Sequence, residues 1–256
     1  MEKDPVLTRA SLTASGKVKA FIIHLARATR RKPQVDALIN ELPIASEIIQ
    51  ALDGAELSED DVALVYRRYL HEPRYPFRLR KSEIACFLSH RKAWQSIVDQ
   101  KLLAGFILED DITLTSDFPE VFRIALDYLI PGGFIRFPIR DDRESGPEIF
   151  NNGNARIIVP CTIGLRMMAQ LVSYEAAERL LAVTRTFDRP VDTTVQMKWV
   201  TKLQPYSIFP GGVKEISSTL GGSTVQQRKN LLEKLKREVI RPIYRTRVRR
   251  FSSKQI

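Results

Sequence analysis

Scarcities narrow the reading first. The sequence has two cysteines, Cys86 and Cys161, far apart and in apolar surroundings. That is too few for a disulfide framework and points to a reduced, cytoplasmic protein. No stretch approaches the ~18 consecutive apolar residues of a membrane span. The polar segment from Met1 to Lys19 lacks the ~7–15-residue apolar core of a secretory leader. There are three histidines, His24, His71 and His90, so none is left in the C-terminal half to serve as a base there. A Gly-Lys-Ser/Thr phosphate loop and internal repeats are also missing.

What is present describes a globular chain. Hydrophobic residues make up 44% of 256 and charged residues 27%, enough apolar material for a sizeable core in one large domain or two small ones. The net charge of +10 is uneven: residues 228–256 hold eleven Lys or Arg against two Glu, a net +9. The body is therefore nearly neutral, and the high pI does not argue for nucleic-acid binding.

The pattern predicts a flexible lead-in over 1–18, an α/β body over 19–227 and a basic helical tail over 228–256. Lys19 to Leu25 reads as a buried strand, followed by a helix through Val35, Leu38, Ile39 and Leu42 that Pro43 ends. Glu47 to Leu52 forms the next strand, closed by the turn pair Asp53-Gly54. Strand, helix, strand begins a mostly parallel central sheet flanked by helices. Asp60 to Leu70 reads as a short helix and His71 to Arg80 as a loop. Ser82 is a fitting N-cap for a helix carrying Ile84, Phe87, Leu88, Trp94, Ile97 and Val98. A buried strand over 105–108 runs into Glu109-Asp110-Asp111. Then come a helix over 118–129, a strand over 133–137, a loop over 140–154, strands at 156–159 and 167–172, a helix capped by Ser173, a helix over 190–199 and a strand over 206–209.

Glu109-Asp110-Asp111 is the sharpest chemical feature. Three adjacent carboxylates after a strand repel one another unless a cation is present. Hard oxygen ligands suit Mg²⁺ or Mn²⁺, and the carboxyl end of a strand in an open α/β sheet is where ligands bind. A solvated acidic turn at the start of the next helix accounts for the same residues.

The stretch Leu79 to His90 (LRKSEIACFLSH), then Trp94, then Phe106 to Asp111 (FILEDD), resembles glycosyltransferase family 25. That family includes lipooligosaccharide and collagen galactosyltransferases, and its pattern is a Gly/Ser-Glu-Ile-Gly-Cys-x-x-Ser-His block followed by Leu-Glu-Asp-Asp. Ile23 to Arg31 is similar to its first strand and turn, and Ala51-Leu52-Asp53-Gly54 to its Ala-x-Asp-Gly element. Ala85 stands where the family has Gly, His24 where it has Asn or Ser, and Gly164 to Ala169 departs from the run before a later helix.

The resemblance implies a GT-A-like fold and a metal-dependent hexose transfer, with galactose from UDP-galactose, or another donor such as UDP-glucose, passing to a lipopolysaccharide or lipooligosaccharide acceptor with inversion. It implies Mn²⁺ or Mg²⁺ on Asp111 and Glu109, and donor contacts from Leu25, Arg27, Arg31, Asp53, Glu83, Ser89, His90, Glu109, Asp110 and Ser218. Asp192 is the candidate general base, although an Asp in the first turn of a helix needs no catalytic role. A phosphoryl-transfer enzyme or nuclease using the same carboxylates is the competing reading; the neutral body and the missing phosphate loop weigh against it.

In the tail, Leu231, Leu232, Leu235, Val239, Ile240 and Ile243, then Tyr244, Val248 and Phe251, recur at helical spacing among cations. Such a segment suits an anionic bilayer. The expected location is cytoplasmic and peripheral on the inner face of the cytoplasmic membrane, near a lipid-linked oligosaccharide acceptor.

Overall fold

The structure, a computed structural model, describes residues 17–140, 144–219 and 231–253. The expected lead-in, except for Lys17 and Val18, therefore lies outside the described residues.

β1 (Val18–His24) is buried at nearly every position, as a strand covered on both faces must be. A turn leads to α1 (Lys32–Glu41), whose second residue is Pro33, a position where the missing N–H costs nothing. Next come β2 (Ser46–Gln50) and α2 (Glu59–Val65), the latter opened by a reciprocal Ser58–Asp61 capping box. α3 (Lys81–Asp99), β3 (Ala104–Glu109), β4 (Ile112–Leu114), α4 (Phe118–Tyr128) and β5 (Phe134–Arg136) complete the first half. The hairpin β6 (Glu148–Asn151) and β7 (Arg156–Ile158) follows, then β8 (Ala169–Ser173), α5 (Tyr174–Val183), α6 (Val191–Val195), α7 (Lys198–Thr201), β9 (Pro205–Phe209), β10 (Val213–Glu215) and α8 (Leu231–Ser253).

Eight strands form one sheet in the order β2-β1-β3-β8-β5-β9-β7-β6. Six run in one direction and two, β7 and β8, are reversed. The expected mostly parallel sheet with helices on both faces is what forms. Alternate residues divide between two cores: Val18, Ala20 and Ile22 of β1, with Phe106 and Leu108 of β3, meet α1 and α4, whereas Phe21, Ile23 and Ile107 meet α3 and α5. In register, Ile23 lies beside Glu109 and His24 beside Gln50, so β1, β2 and β3 end level and their following loops frame one cleft.

Several local readings change. α3 begins at Lys81 with Arg80 at its N-cap; the cap bond comes from Glu83, whose Oε2 accepts the Arg80 N–H at 2.9 Å, and not from Ser82. The helix expected over 60–70 ends at Val65. The loop expected over 140–154 contains β6, and 190–199 divides into α6 and α7. Cys161 is exposed rather than set in apolar surroundings; both cysteines are free thiols.

The C-terminal helix α8 forms, but much of its expected membrane face is used internally. Tyr244 and Val248 are buried against the body, and the Phe251 ring lies 5.3 Å from that of Trp199. Ile243 stays exposed. The side chains of Leu231, Leu232, Leu235 and Val239 lie outside the described residues. Tyr244 closes a polar hub: the fully buried Arg189 donates to its Oη (2.8 Å), to the Asp188 carboxylate (2.6 and 2.9 Å) and to the His71 carbonyl (2.8 Å). Asp188 in turn accepts the backbone N–H groups of Leu70 and His71.

Tyr244→Ala should therefore cost ~2–4 kcal/mol, from the lost ring and the unpaired Arg189 donor. Thermal denaturation should show a fall of about 5–10 °C, whereas Tyr244→Phe, which keeps the ring, should lose less than half as much. Equal melting of all three proteins would mean that α8 is not docked.

Candidate active site

The cleft at the level ends of β1, β2 and β3 is lined by Leu25, Arg27 and Arg31, by Ala51 to Gly54, by Ser82, Cys86, Ser89 and His90 of α3, and by all three acids of the triplet. Of the sequence-predicted site residues, Leu25, Arg27, Arg31, Asp53, Ser89, His90, Glu109, Asp110 and Asp111 are thus brought together. Glu83 sits one turn away, where its carboxylate caps α3.

The three carboxylates do different things. Asp110 is buried, with Oδ2 accepting from His24 Nδ1 at 2.7 Å and Oδ1 from Arg31 Nη1 at 2.5 Å. Both of its oxygens are thus engaged inside the protein, and it ties the first loop to the third. Asp111 is also buried, and its Oδ2 lies 3.2 Å from the same Arg31 nitrogen. Its Oδ1 is buried with no hydrogen-bond partner. An orphaned buried carboxylate oxygen is costly. Burial first, then the negative charge of Glu109, push the Asp111 carboxyl up to about 7, with Asp110 and Glu215 adding to the rise and Arg31 opposing it. This donor set, one orphaned hard oxygen beside the more exposed Glu109, fits a divalent cation of the Mg²⁺ or Mn²⁺ type.

A proton linkage follows. Below about pH 7 the Asp111 carboxyl is largely protonated in the cation-free fold, so a cation must displace that proton. Apparent Mn²⁺ affinity should rise nearly tenfold per pH unit from about 5 to 7 and level off above. Titration calorimetry in buffers of different ionisation enthalpy should show close to one proton released per cation at pH 6. Affinity independent of pH in that window would contradict the assignment.

Around this centre the predicted contacts are partly internal. Arg27 pairs with Asp53 (Nη2 to Oδ1, 3.1 Å), and its guanidinium, with the Ala55 N–H, holds the Asp53 carboxyl below the usual range. The two residues expected to meet the nucleotide separately form one unit at the cleft mouth. Gly54 packs against the start of α3; a Cβ there would lie 2.6 Å from the Ser82 nitrogen, so the Asp-Gly pair is a close approach as well as a turn. Ser89 donates to the Ala85 carbonyl (2.7 Å) and accepts from the Leu52 N–H (2.9 Å), which fixes the cleft floor. His90, fully buried, has Nε2 3.4 Å from Glu109 Oε1 and Nδ1 3.4 Å from the Gln170 amide. Burial, then the charges of Glu109, Asp192, Glu83 and Asp111, push the Cys86 thiol well up.

Asp192, at the start of α6, is not among the residues that line this cleft. Its Oδ1 accepts from the Thr193 N–H (2.6 Å) and hydroxyl (3.1 Å), and its Oδ2 from the Arg166 N–H (3.1 Å). Arg166 is in the left-handed region (φ 71°), a strained conformation for a non-glycine residue. Its guanidinium pairs with Glu215, and the Ile216 N–H donates to the Asp111 carbonyl at 2.8 Å. A continuous set of contacts thus joins the triplet to Asp192, and it brings Ser217, Ser218 and Thr219 beside the acidic end. Ser217 bonds Glu215, Thr219 bonds the Ile216 carbonyl, and Ser218 is exposed. Sequence reasoning missed Arg166 and Glu215; only the backbone strain at Arg166 marks the place, and that is not visible in sequence.

Known proteins resemble this chain in sequence. The family model for glycosyltransferase family 25 (LPS biosynthesis protein) matches residues 17–138, the span holding the three level strand ends and the triplet. Residues 17–138 belong to glycosyltransferase family 25. A glycosyltransferase 25 family member of Drosophila melanogaster is 34% identical over 206 residues, covering 76% of this chain and 31% of that protein. The human procollagen galactosyltransferase 2 is 25% identical over 173 residues, covering 63% and 27%. A mouse relative described as an inactive family 25 member is 24% identical over 218 residues, covering 78% and 37%. The chain spans about a third of the length of these relatives.

Proposed function

We propose that this family 25 chain is an active, cation-assisted glycosyltransferase that moves a hexose, galactose from UDP-galactose in the first instance, to a lipopolysaccharide or lipooligosaccharide core acceptor with inversion. The observation carrying this reading is the buried, unpartnered Asp111 Oδ1 at the carboxyl ends of β1 and β3. A Mn²⁺ or Mg²⁺ ion on Asp111 and Glu109 would supply Lewis-acid stabilisation of the departing diphosphate. Arg31, fixed by Asp110, holds positive charge at the same place, and Arg27, paired with Asp53 in the same cleft, is our candidate nucleotide contact. Ser218, exposed two residues beyond the Ile216 N–H that bonds the Asp111 carbonyl, is our candidate for a diphosphate contact. Asp192, oriented by the Arg166 and Thr193 N–H groups, is our candidate to accept the acceptor hydroxyl's proton as oxygen attacks the anomeric carbon and UDP leaves.

The decisive assay is transfer or hydrolysis with a panel of UDP-sugars, with and without Mn²⁺. Cation-stimulated turnover of UDP-galactose supports the proposal; turnover of UDP-glucose alone would move the donor assignment, and turnover of none would end it.

Among the described residues no helix is long and apolar enough to cross a membrane. We further propose a peripheral contact with anionic lipid through the outward side of α8, where Arg245, Arg247 and Arg249 are exposed. With Tyr244 and Val248 turned inward, this contact is electrostatic. Replacing those three arginines by glutamine should abolish sedimentation with anionic liposomes at low salt and leave Tyr244 docked. Equal pelleting of both proteins, or of neither, would remove the membrane role.

A further inference from the structure

Cys86 and His90 stand one turn apart on α3 and face Glu109 at the end of β3. Their Sγ, imidazole nitrogen and carboxylate oxygen all lie within 4.8 Å of one another. We propose that this thiol–imidazole–carboxylate trio is a binding site for a borderline-soft divalent ion of the Zn²⁺ class, separate from the hard-cation position at Asp111 and sharing only Glu109 with it.

Three observations support the assignment. Ligand type comes first: sulfur and imidazole favour Zn²⁺ over Mg²⁺ or Mn²⁺, whose preference is for oxygen. Spacing is second. His90 Nε2 and Glu109 Oε1 are 3.4 Å apart, long for a charge-assisted hydrogen bond. Two ligands each ~2.0–2.2 Å from a tetrahedral zinc ion are themselves about 3.3–3.5 Å apart. The third is Gln170 on β8, fully buried, whose Oε1 has no partner while its amide nitrogen faces His90 Nδ1 at 3.4 Å. Turning the amide over exchanges its two ends, so that Oε1 accepts from Nδ1–H and the NH2 group takes the position without a partner. The imidazole lone pair is then on Nε2, facing a carboxylate oxygen, an arrangement that is repulsive unless a cation lies between them. Gln170 thereby takes the place of the group that orients a metal-bound histidine.

On binding, the Cys86 S–H bond breaks, its proton passes to solvent and the sulfur lone pair forms the metal–sulfur bond; no oxidant or reductant takes part. Because Glu109 is drawn to this side, an ion here should weaken Mn²⁺ binding at Asp111.

The test uses the full chain and Co²⁺ as a spectroscopic stand-in for zinc. One equivalent should produce a near-ultraviolet thiolate-to-cobalt charge-transfer band that one equivalent of Zn²⁺ removes. Cys161→Ser should keep the band, since Cys86 is then the sole thiol of the chain. Cys86→Ser should lose it, and Gln170→Met should weaken Co²⁺ binding ~10–100-fold. Absence of the band in Cys161→Ser overturns the proposal even if Cys86→Ser fails to fold, and so does persistence of the band in a folded Cys86→Ser protein. The measurement needs no sugar transfer, so a chain inactive toward every UDP-sugar can still show the site, and an active one can lack it.

Discussion

Asp111→Asn is expected to lower cation-stimulated transfer by ~10²–10⁴-fold, the several kcal/mol that a Lewis acid contributes at a departing diphosphate. The same variant should fold and, without added cation, melt higher than the parent at pH 8. The sign follows from the carboxyl being pushed up to about 7. A carboxyl raised in the fold favours folding only while protonated. As pH rises from the unfolded value, near 4, through about 7, the native state carries the cost of burying the charge beside Glu109. Asparagine removes that cost, worth about 1–2 kcal/mol above pH 7. Kinetics with and without Mn²⁺, alongside melting curves at pH 5 and pH 8, check both halves. A variant that keeps most of its metal-stimulated turnover would refute the role given to Asp111.

Asp192→Asn should lower kcat by ~10²–10⁴-fold while leaving UDP binding within about threefold of the parent, because a base acts on the acceptor hydroxyl and not on the nucleotide. Asparagine keeps one carbonyl oxygen to receive the Arg166 or Thr193 N–H, so the start of α6 should survive. Separate measurement of UDP affinity and single-turnover rate distinguishes the roles. If nucleotide affinity falls and the rate does not, Asp192 serves to hold Arg166, the partner of Glu215, and the proton goes elsewhere.

The N-terminal half was legible because its signals are long. β1 and β3 are continuous apolar runs buried on both faces, and α3 repeats its apolar positions over five turns. β4 and β10 are three residues each, and their pairing places Glu215 beside Ile112; three residues carry no periodicity. The role of Asp110 was hidden for another reason. In sequence it is one of three equal acids, and only the approach of His24 from the end of β1 and Arg31 from the loop after it removes it from the set available to a ligand. The tail shows the same limit. Amphipathic spacing over Tyr244, Val248 and Phe251 declares a helix with one apolar side, but it does not say whether that side meets lipid or Trp199 and Arg189.

The position of β8 has a consequence for how the chain is made. It lies between β3 and β5, pairing Ala104 with Ser173 and Phe134 with Val172, while the other neighbour of β5 is β9. Residues 17–138 therefore contain no partner for their own last strand, and the middle of the sheet waits for strands that follow it in the sequence. During synthesis β1, β2, α3 and β3 can assemble early, but β5 stays an open edge until about residue 209 has been translated. A fragment ending at residue 138 should be aggregation-prone for that reason. The family segment is a unit of sequence similarity, and the unit of folding is larger.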